Sequence, residues 1–248
     1  MHAKSLTIER LSVAIEKKEV IKDLSLTIRK GELRLLMGPN AAGKSTLAYA
    51  LAGHPNYRVT SGEIKIGSQK LNDLPTEERA RLGFFLAFQY PVGIEGISLF
   101  DLLRETARVQ GWSGTARELL GLGGRLARAV GLENKILGKE LNFELSGGEK
   151  KRTEILQALA LQPVFAVFDE SDSGLDVDGL KLFGEAVGGL IKGGTGVLVI
   201  SHYPRILKYL KPDFVHVMVG GKIVESGGVS LAKKIEKGGY ESYGQKES

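Results

Sequence analysis

The sequence predicts an α/β fold in one domain over residues 1–248, with a catalytic-type α/β core at about 1–97 and 162–248 and a helical subdomain at about 98–161. Three observations predict it. An apolar run, Leu33–Met37, enters a glycine-bearing octet at 38–45, and a helix-compatible stretch, Ser45–Ala52, leaves it. From about Ser98 to Leu161 the apolar spacing is helical. Beyond that, two buried-strand patterns, Val164–Phe168 and Val197–Ile200, flank a helical stretch near Val177–Leu190.

In chain order, Leu6, Ile8, Leu11, Val13 and Ile15 predict strands with a break near Glu9-Arg10. Leu24, Leu26 and Ile28 alternate with polar residues as a half-buried strand does. Gly31-Glu32 is a turn into the strand that feeds the octet, and 62–67 reads as a short strand between glycines. In the helical stretch Leu99, Leu102, Leu103 and Thr106 share one face. Leu119, Leu122, Leu126 and Val130 continue the pattern, with Gly111, Gly114, Gly121, Gly123 and Gly124 expected as helix breaks. Lys192-Gly193-Gly194 ends the later helix, Gly220-Gly221 marks a hairpin between 214–219 and 222–224, and the polar tail from Gly238 is expected to be loose.

Composition narrows the function classes. No apolar run approaches the roughly 20 residues of a membrane span, so no direct membrane insertion is expected. Met1–Leu6 carries no long apolar segment and predicts no secretory signal. With zero cysteines the chain has no disulfide and no thiolate for zinc or an iron–sulphur cluster, and a cytoplasmic location is expected. The formal net charge is +5, but Lys and Arg are spread along the chain, so no nucleic-acid partner is expected.

The octet Gly38-Pro39-Asn40-Ala41-Ala42-Gly43-Lys44-Ser45 fits G-x-x-x-x-G-K-[ST]. Backbone N–H groups of such a loop wrap phosphates, and the helix start adds partial positive charge. Lys44 reaches the β- and γ-phosphates, and the Ser45 hydroxyl ligates Mg²⁺. The ligands this names are a nucleoside triphosphate and magnesium. The strand Val164–Phe168 ends in Asp169-Glu170, which suits a metal-binding carboxylate followed by one that positions or activates the attacking water. Leu145-Ser146-Gly147-Gly148-Glu149 opens a helix-like run with a cap residue and two glycines. A plain N-cap accounts for Ser146, but paired glycines cost helix stability, about 1 kcal/mol each in an interior, which close approach of a phosphate offsets.

These segments resemble the ATP-binding-cassette (ABC) ATPases. Gly38–Ser45 matches Walker A, Gln89 the Q-loop, Leu145–Glu149 the signature LSGGE, and Val164–Asp169 Walker B with Glu170 as catalytic glutamate. Ser173-Gly174-Leu175-Asp176 matches the D-loop and His202 the switch histidine, all in family order. The resemblance implies a P-loop NTPase ABC-ATPase fold with an N-terminal antiparallel β lobe, a mixed core sheet and an inserted helical subdomain. It implies ATP and Mg²⁺ as cofactors, held by 38–45 and Thr46, with Ser45, Gln89 and Asp169 at the metal. It also implies an ATP-dependent head-to-tail dimer in which Ser146, Gly147, Gly148, Glu149 and Asp176 complete the partner's site.

Within the family, Phe88-Gln89-Tyr90-Pro91-Val92, the run 146–152, the run 169–176, His202–Leu207 and Lys211–Val217 are similar to the SufC branch. That branch serves iron–sulphur cluster assembly, which implies SufB/SufD-like scaffold partners. The alternative is the ATP-binding subunit of a membrane transporter, which shares every catalytic residue; a non-catalytic interaction protein would not retain Lys44, Asp169, Glu170 and His202. Two positions depart from the family pattern. Ala41 replaces the usual loop glycine, and Ile15 stands where many members stack an aromatic on adenine. The loop after Gln89, with Tyr90, Val92, Ile94 and Ile97, reads either as a partner-docking surface or as packing between strand and helical lobe.

Overall fold

The computed structural model describes residues 5–243. The front of the chain gives β1 (Ser5–Ile15), β2 (Lys18–Arg29), β3 (Leu33–Met37), α1 (Lys44–Ala52), β4 (Tyr57–Ile66), β5 (Gln69–Lys70), α2 (Thr76–Arg81) and β6 (Phe84–Ala87). The middle gives β7 (Ile94–Ser98), α3 (Leu99–Val109), α4 (Ala116–Ala129), β8 (Glu140–Leu141) and α5 (Gly147–Leu161). The last part gives β9 (Phe165–Asp169), α6 (Val177–Lys192), β10 (Gly196–Ile200), β11 (Phe214–Val219), β12 (Lys222–Gly227) and α7 (Val229–Gly238).

A six-stranded sheet in the order β12-β11-β3-β10-β9-β6 forms the centre, parallel except for the antiparallel β11–β12 hairpin. A four-stranded antiparallel sheet, β2-β1-β4-β5, forms the N-terminal lobe. The central strands are buried on both faces, which is why they read as unbroken apolar runs. Alternate side chains serve two different cores. Leu35, Phe168 and Val199 face α3–α7, while Leu36, Val167 and Leu198 face α1 and the antiparallel lobe.

The structure departs from the sequence expectations in several places. The expected break at Glu9-Arg10 is a bulge inside one continuous strand. Arg10 takes φ 47° and the β1–β2 register shifts between Ile8 and Leu11. The short strand at 62–67 is the end of the ten-residue β4. Both α2 and β6 lack a counterpart among the sequence expectations. The tail does not loosen at Gly238. Tyr240 is buried, and a 3₁₀ turn, Glu241–Tyr243, brings the Tyr243 hydroxyl onto the Glu225 carboxylate. Residues 1–4 and 244–248 lie outside the described residues, and with them those parts of the N-terminal and tail readings.

Gly121, Gly123 and Gly124 do not break a helix, because all three lie inside α4. The tertiary fold needs two of them. A Cβ on Gly123 would stand 3.0 Å from Leu103 and 3.1 Å from Leu137, and one on Gly124 would stand 3.1 Å from Asn134. Gly121 faces solvent, with only the Arg125 guanidinium 3.8 Å from such a Cβ. Urea unfolding separates the two roles. Gly121→Ala is expected to raise stability by about 0.5–1 kcal/mol. Gly123→Val is expected to lower it by about 1–3 kcal/mol through overpacking.

Candidate active site

Four parallel strands end at one edge of the central sheet, and each delivers a segment singled out in the sequence. Gly38 follows β3, Gln89 follows β6, Asp169 closes β9 with Glu170 next, and His202 follows β10. Because the strands run the same way, residues far apart in sequence meet at their carboxyl ends.

The loop at 38–43 turns sharply into α1. Gly38 is required where it stands, since a Cβ would meet the Met218 carbonyl oxygen at 2.2 Å. Gly43 precedes the helix in a left-handed conformation, and no side chain caps the helix start. The first-turn N–H groups are therefore left for an anion. Lys44 crosses back over the loop, and its ammonium donates to the Gly38 and Pro39 carbonyls at 2.9 Å each. Burial pulls its pKa down, opposed by Glu170 and Asp169. Asn40–Thr46, Lys18, Glu19, Val20, Lys22, Gln89, Glu170, Gly220 and Gly221 line a cavity of about 490 Å³. Ala41 has φ 61°, a left-handed conformation that costs a non-glycine residue about 1 kcal/mol or more. Ile15 does not line the cavity; Val20 is its apolar side chain from the N-terminal lobe.

Asp169 is 1% exposed, and neither carboxylate oxygen makes a well-formed hydrogen bond. Burial pushes its pKa up to about 6 against the pull of the nearby Ser45 hydroxyl, and Glu170 pushes the same way. Glu170 is buried with φ 50°. Its Oε2 accepts from Gln89 Nε2 at 2.7 Å, and its Oε1 lies 3.3 Å from His202 Nδ1. Since Gln89 donates through its nitrogen, its amide oxygen is the end left for a cation. Two groups the sequence reading passed over brace this corner. Lys151 of α5 donates to the Glu170 carbonyl and, at 3.2 Å, to the Ser173 hydroxyl. Ser201 donates to Asp172.

Ser146, Gly147, Gly148, Glu149 and Asp176 do not line this cavity. Ser146, Gly148, Glu149 and Asp176 line a second cleft of about 400 Å³ with Lys135, Lys139 and Arg152. Ser146 and Glu149 form a reciprocal capping box, which holds the Glu149 carboxyl below its ordinary range. A Cβ on Gly147 or Gly148 would meet nothing within 4 Å, so no contact among the described residues requires these glycines. Asp176 caps α6 through the Gly179 N–H at 2.7 Å and pairs with Arg152 at 2.9 Å. Tyr90 and Val92 are 77% and 75% exposed, and Ile94 and Ile97 are exposed too. The packing reading of that loop therefore fails.

The sequence profile of the ABC transporter family matches residues 21–173. The chain belongs to that family. It is 43% identical over 243 residues to a probable ABC transporter ATP-binding protein of Streptococcus pyogenes serotype M3, covering 97% of this chain and 95% of that protein. It is 42% identical to the probable ATP-dependent transporter ycf16 of Cyanophora paradoxa, over 96% and 94% of the two chains. Vegetative protein 296 of Bacillus subtilis is 41% identical over 97% and 94%. The fold superposes on an ATP-binding subunit of an ABC transporter with TM-score 0.77 and 24% identity, covering 94% of each chain.

As an ABC ATPase the protein binds ATP with Mg²⁺ and hydrolyses it. The site fits the metal on its own terms. A buried aspartate whose oxygens lack a well-formed hydrogen bond sits beside the Ser45 hydroxyl, a pair of hard oxygen donors.

The same deficit sets a pH dependence. The folded pKa of Asp169, about 6, lies above the ordinary value near 4, so the folded state binds the proton more tightly than the unfolded chain. The cost of ionising it is absent below pH ~4 and fully present above pH ~6. Nucleotide-free Asp169→Asn is therefore expected to be more stable than wild type at pH 8, by about 3 kcal/mol. Chemical denaturation across pH is expected to show that gap closing as pH falls from ~7 to ~4.

Proposed function

We propose that this chain is a cytoplasmic ATPase that works as a head-to-tail dimer and drives conformational change in a SufB/SufD-like iron–sulphur assembly scaffold. The observation that carries the hydrolytic part is the grip on Glu170, one oxygen held by Gln89 and the other facing His202. Lys44 and the N–H groups of 38–46 bind the polyphosphate. Ser45, Asp169 and the Gln89 oxygen hold Mg²⁺, which when bound neutralises charge on the β- and γ-phosphate oxygens. Glu170 Oε2, positioned by the Gln89 amide, takes the proton of the attacking water, while His202 orients the opposite edge of that carboxylate. Water is excluded when a second copy brings its Ser146-Gly147-Gly148 helix start over the γ-phosphate, with Glu149 holding Ser146 in place and Asp176 at the rim. The open space around Gly147 and Gly148 supports this, since none of the described residues uses it.

The scaffold part rests on the similarity of 88–92, 146–152, 169–176, 202–207 and 211–217 to the SufC branch, and on the absence of cysteine, which leaves cluster ligation to a partner. The exposed residues Tyr90, Val92, Ile94 and Ile97 are the docking surface in this reading, directly after the Q-loop glutamine. A transporter ATP-binding subunit is the second reading. It is favoured by the names of the Streptococcus and Cyanophora relatives. No helix among the described residues is long and apolar enough to cross a membrane, so in that reading the permease is a separate chain.

One variant tests both halves. Glu170→Gln is expected to lower turnover by about 100-fold or more and to elute as a dimer only with Mg·ATP. Used as bait in its own cell extract, it is expected to capture soluble scaffold proteins, and Ile94→Glu in the same bait is expected to lose them while keeping nucleotide binding. A bait that stays monomeric with ATP contradicts the dimer, and capture of an integral membrane permease selects the second reading.

A further inference from the structure

Ser201 and Asp172 take no part in the nucleotide binding or hydrolysis described above, yet their side chains form a buried hydrogen bond across 29 residues of sequence. Ser201 is 0% exposed and directly follows β10. Its backbone N–H donates to the Leu36 carbonyl at 3.1 Å, continuing the pairing with β3 beyond the strand end. Asp172 is 1% exposed and lies between Glu170 and the D-loop residues 173–176. The Ser201 hydroxyl accepts the Tyr203 N–H at 3.1 Å, so its single proton goes elsewhere. Asp172 Oδ2 takes it at 2.6 Å, while the Tyr203 carbonyl, at 3.5 Å, is too distant to compete.

One hydroxyl thus closes the turn 201–203 from both sides, and His202 is the residue inside that turn. The ring of His202 reaches Glu170 at 3.3 Å and leans on the Tyr203 ring, with centroids 3.7 Å apart. The opposite end of the link is equally fixed. Asp172 follows Glu170 by two residues, and Lys151 ties the Glu170 carbonyl to Ser173 around it. The segment carrying Glu170 and the segment carrying His202 are joined at their carboxylate–imidazole contact and again at Asp172–Ser201.

We infer that Ser201 and Asp172 are positioning residues for hydrolysis, a buried latch that fixes His202 against Glu170 and makes the switch loop and the D-loop move as one piece. This rests on the reading of His202 and Glu170 given above. Since Gly174 and Asp176 of the same D-loop are exposed, the latch carries a displacement of the D-loop by a docked second copy to His202 without a direct contact. Removing the latch loosens the imidazole and leaves the phosphate cradle, which sits on β3 and α1, in place.

The test is single-turnover hydrolysis and Mg·ATP affinity for Ser201→Ala, Asp172→Asn, His202→Ala and the Ser201→Ala/His202→Ala pair. Ser201→Ala is expected to slow the chemical step about 10–100-fold, the scale of an ångström misplacement. Its Mg·ATP affinity is expected to stay within about threefold of wild type. Asp172→Asn keeps an oxygen for the Ser201 proton and is expected to retain most of the rate. In the His202→Ala background, Ser201→Ala is expected to add less than about twofold, because the group it positions is gone. A full additional loss in that background, or an unchanged rate for Ser201→Ala alone, overturns the latch. His202→Ala with wild-type rate overturns instead the hydrolytic role of His202 on which the latch depends.

Discussion

Asp169 sits at the end of a fully buried strand with only the nearby Ser45 hydroxyl to favour its charged form and no well-formed hydrogen bond to either carboxylate oxygen, and the site is arranged around that deficit. A buried charge without partners is expensive, and a protein escapes the cost by protonation or by binding a cation. Burial raises the Asp169 pKa to about 6, so the first route is open only below about that pH. In the proposed site the second route is Mg²⁺ delivered with ATP. Lys44 shows a milder version of the same arrangement, since its buried ammonium is held by two loop carbonyls and retains donor capacity for phosphate. Folding therefore leaves free energy unspent at the place where ligand binding recovers it, and the protein is built to be more stable loaded than empty.

The sheet order explains why so few elements are needed. β3, β10, β9 and β6 are neighbours in one parallel run, so the loop at 38, the histidine at 202, the carboxylates at 169–170 and the glutamine at 89 emerge side by side. Helix α5 then braces this edge from the helical lobe, through Lys151 to the Glu170 carbonyl, while its Ser146-capped N-terminus opens onto the second cleft. In the proposed head-to-tail dimer one helix would brace the chemistry of its own subunit and close on the nucleotide of the other, which would couple the two sites.

Much of this was legible in the sequence because the signals are local. The phosphate loop, the Ser146–Glu149 cap and the Gly220-Gly221 hairpin depend on residues within a few positions of one another. Where the reading failed, the deciding partner was distant. Gly123 and Gly124 look like helix ends by composition, but Leu103, Leu137 and Asn134 need their empty space in mid-helix. Glu9-Arg10 looks like a break because the alternation slips, yet pairing to β2 and β4 on both sides carries the strand through as a bulge. Lys151 and Asp172 lie inside the family-like runs 146–152 and 169–176 and Ser201 outside them, but only burial and long-range hydrogen bonds mark their bracing role. The exposure of Tyr90 and Val92 settles against packing a loop that hydrophobicity alone left open.

The central claim is that the unsatisfied Asp169 is the seat of the metal and that Mg·ATP relieves it. The most direct measurement is calorimetric titration of wild type and Asp169→Asn with ATP, each with Mg²⁺ and with a chelator. The account predicts that Mg²⁺ tightens ATP binding to wild type by at least about tenfold, a difference of roughly 1.4 kcal/mol, and that this gain disappears in Asp169→Asn. Equal affinity with and without Mg²⁺ in wild type, or the same gain in both proteins, would contradict it.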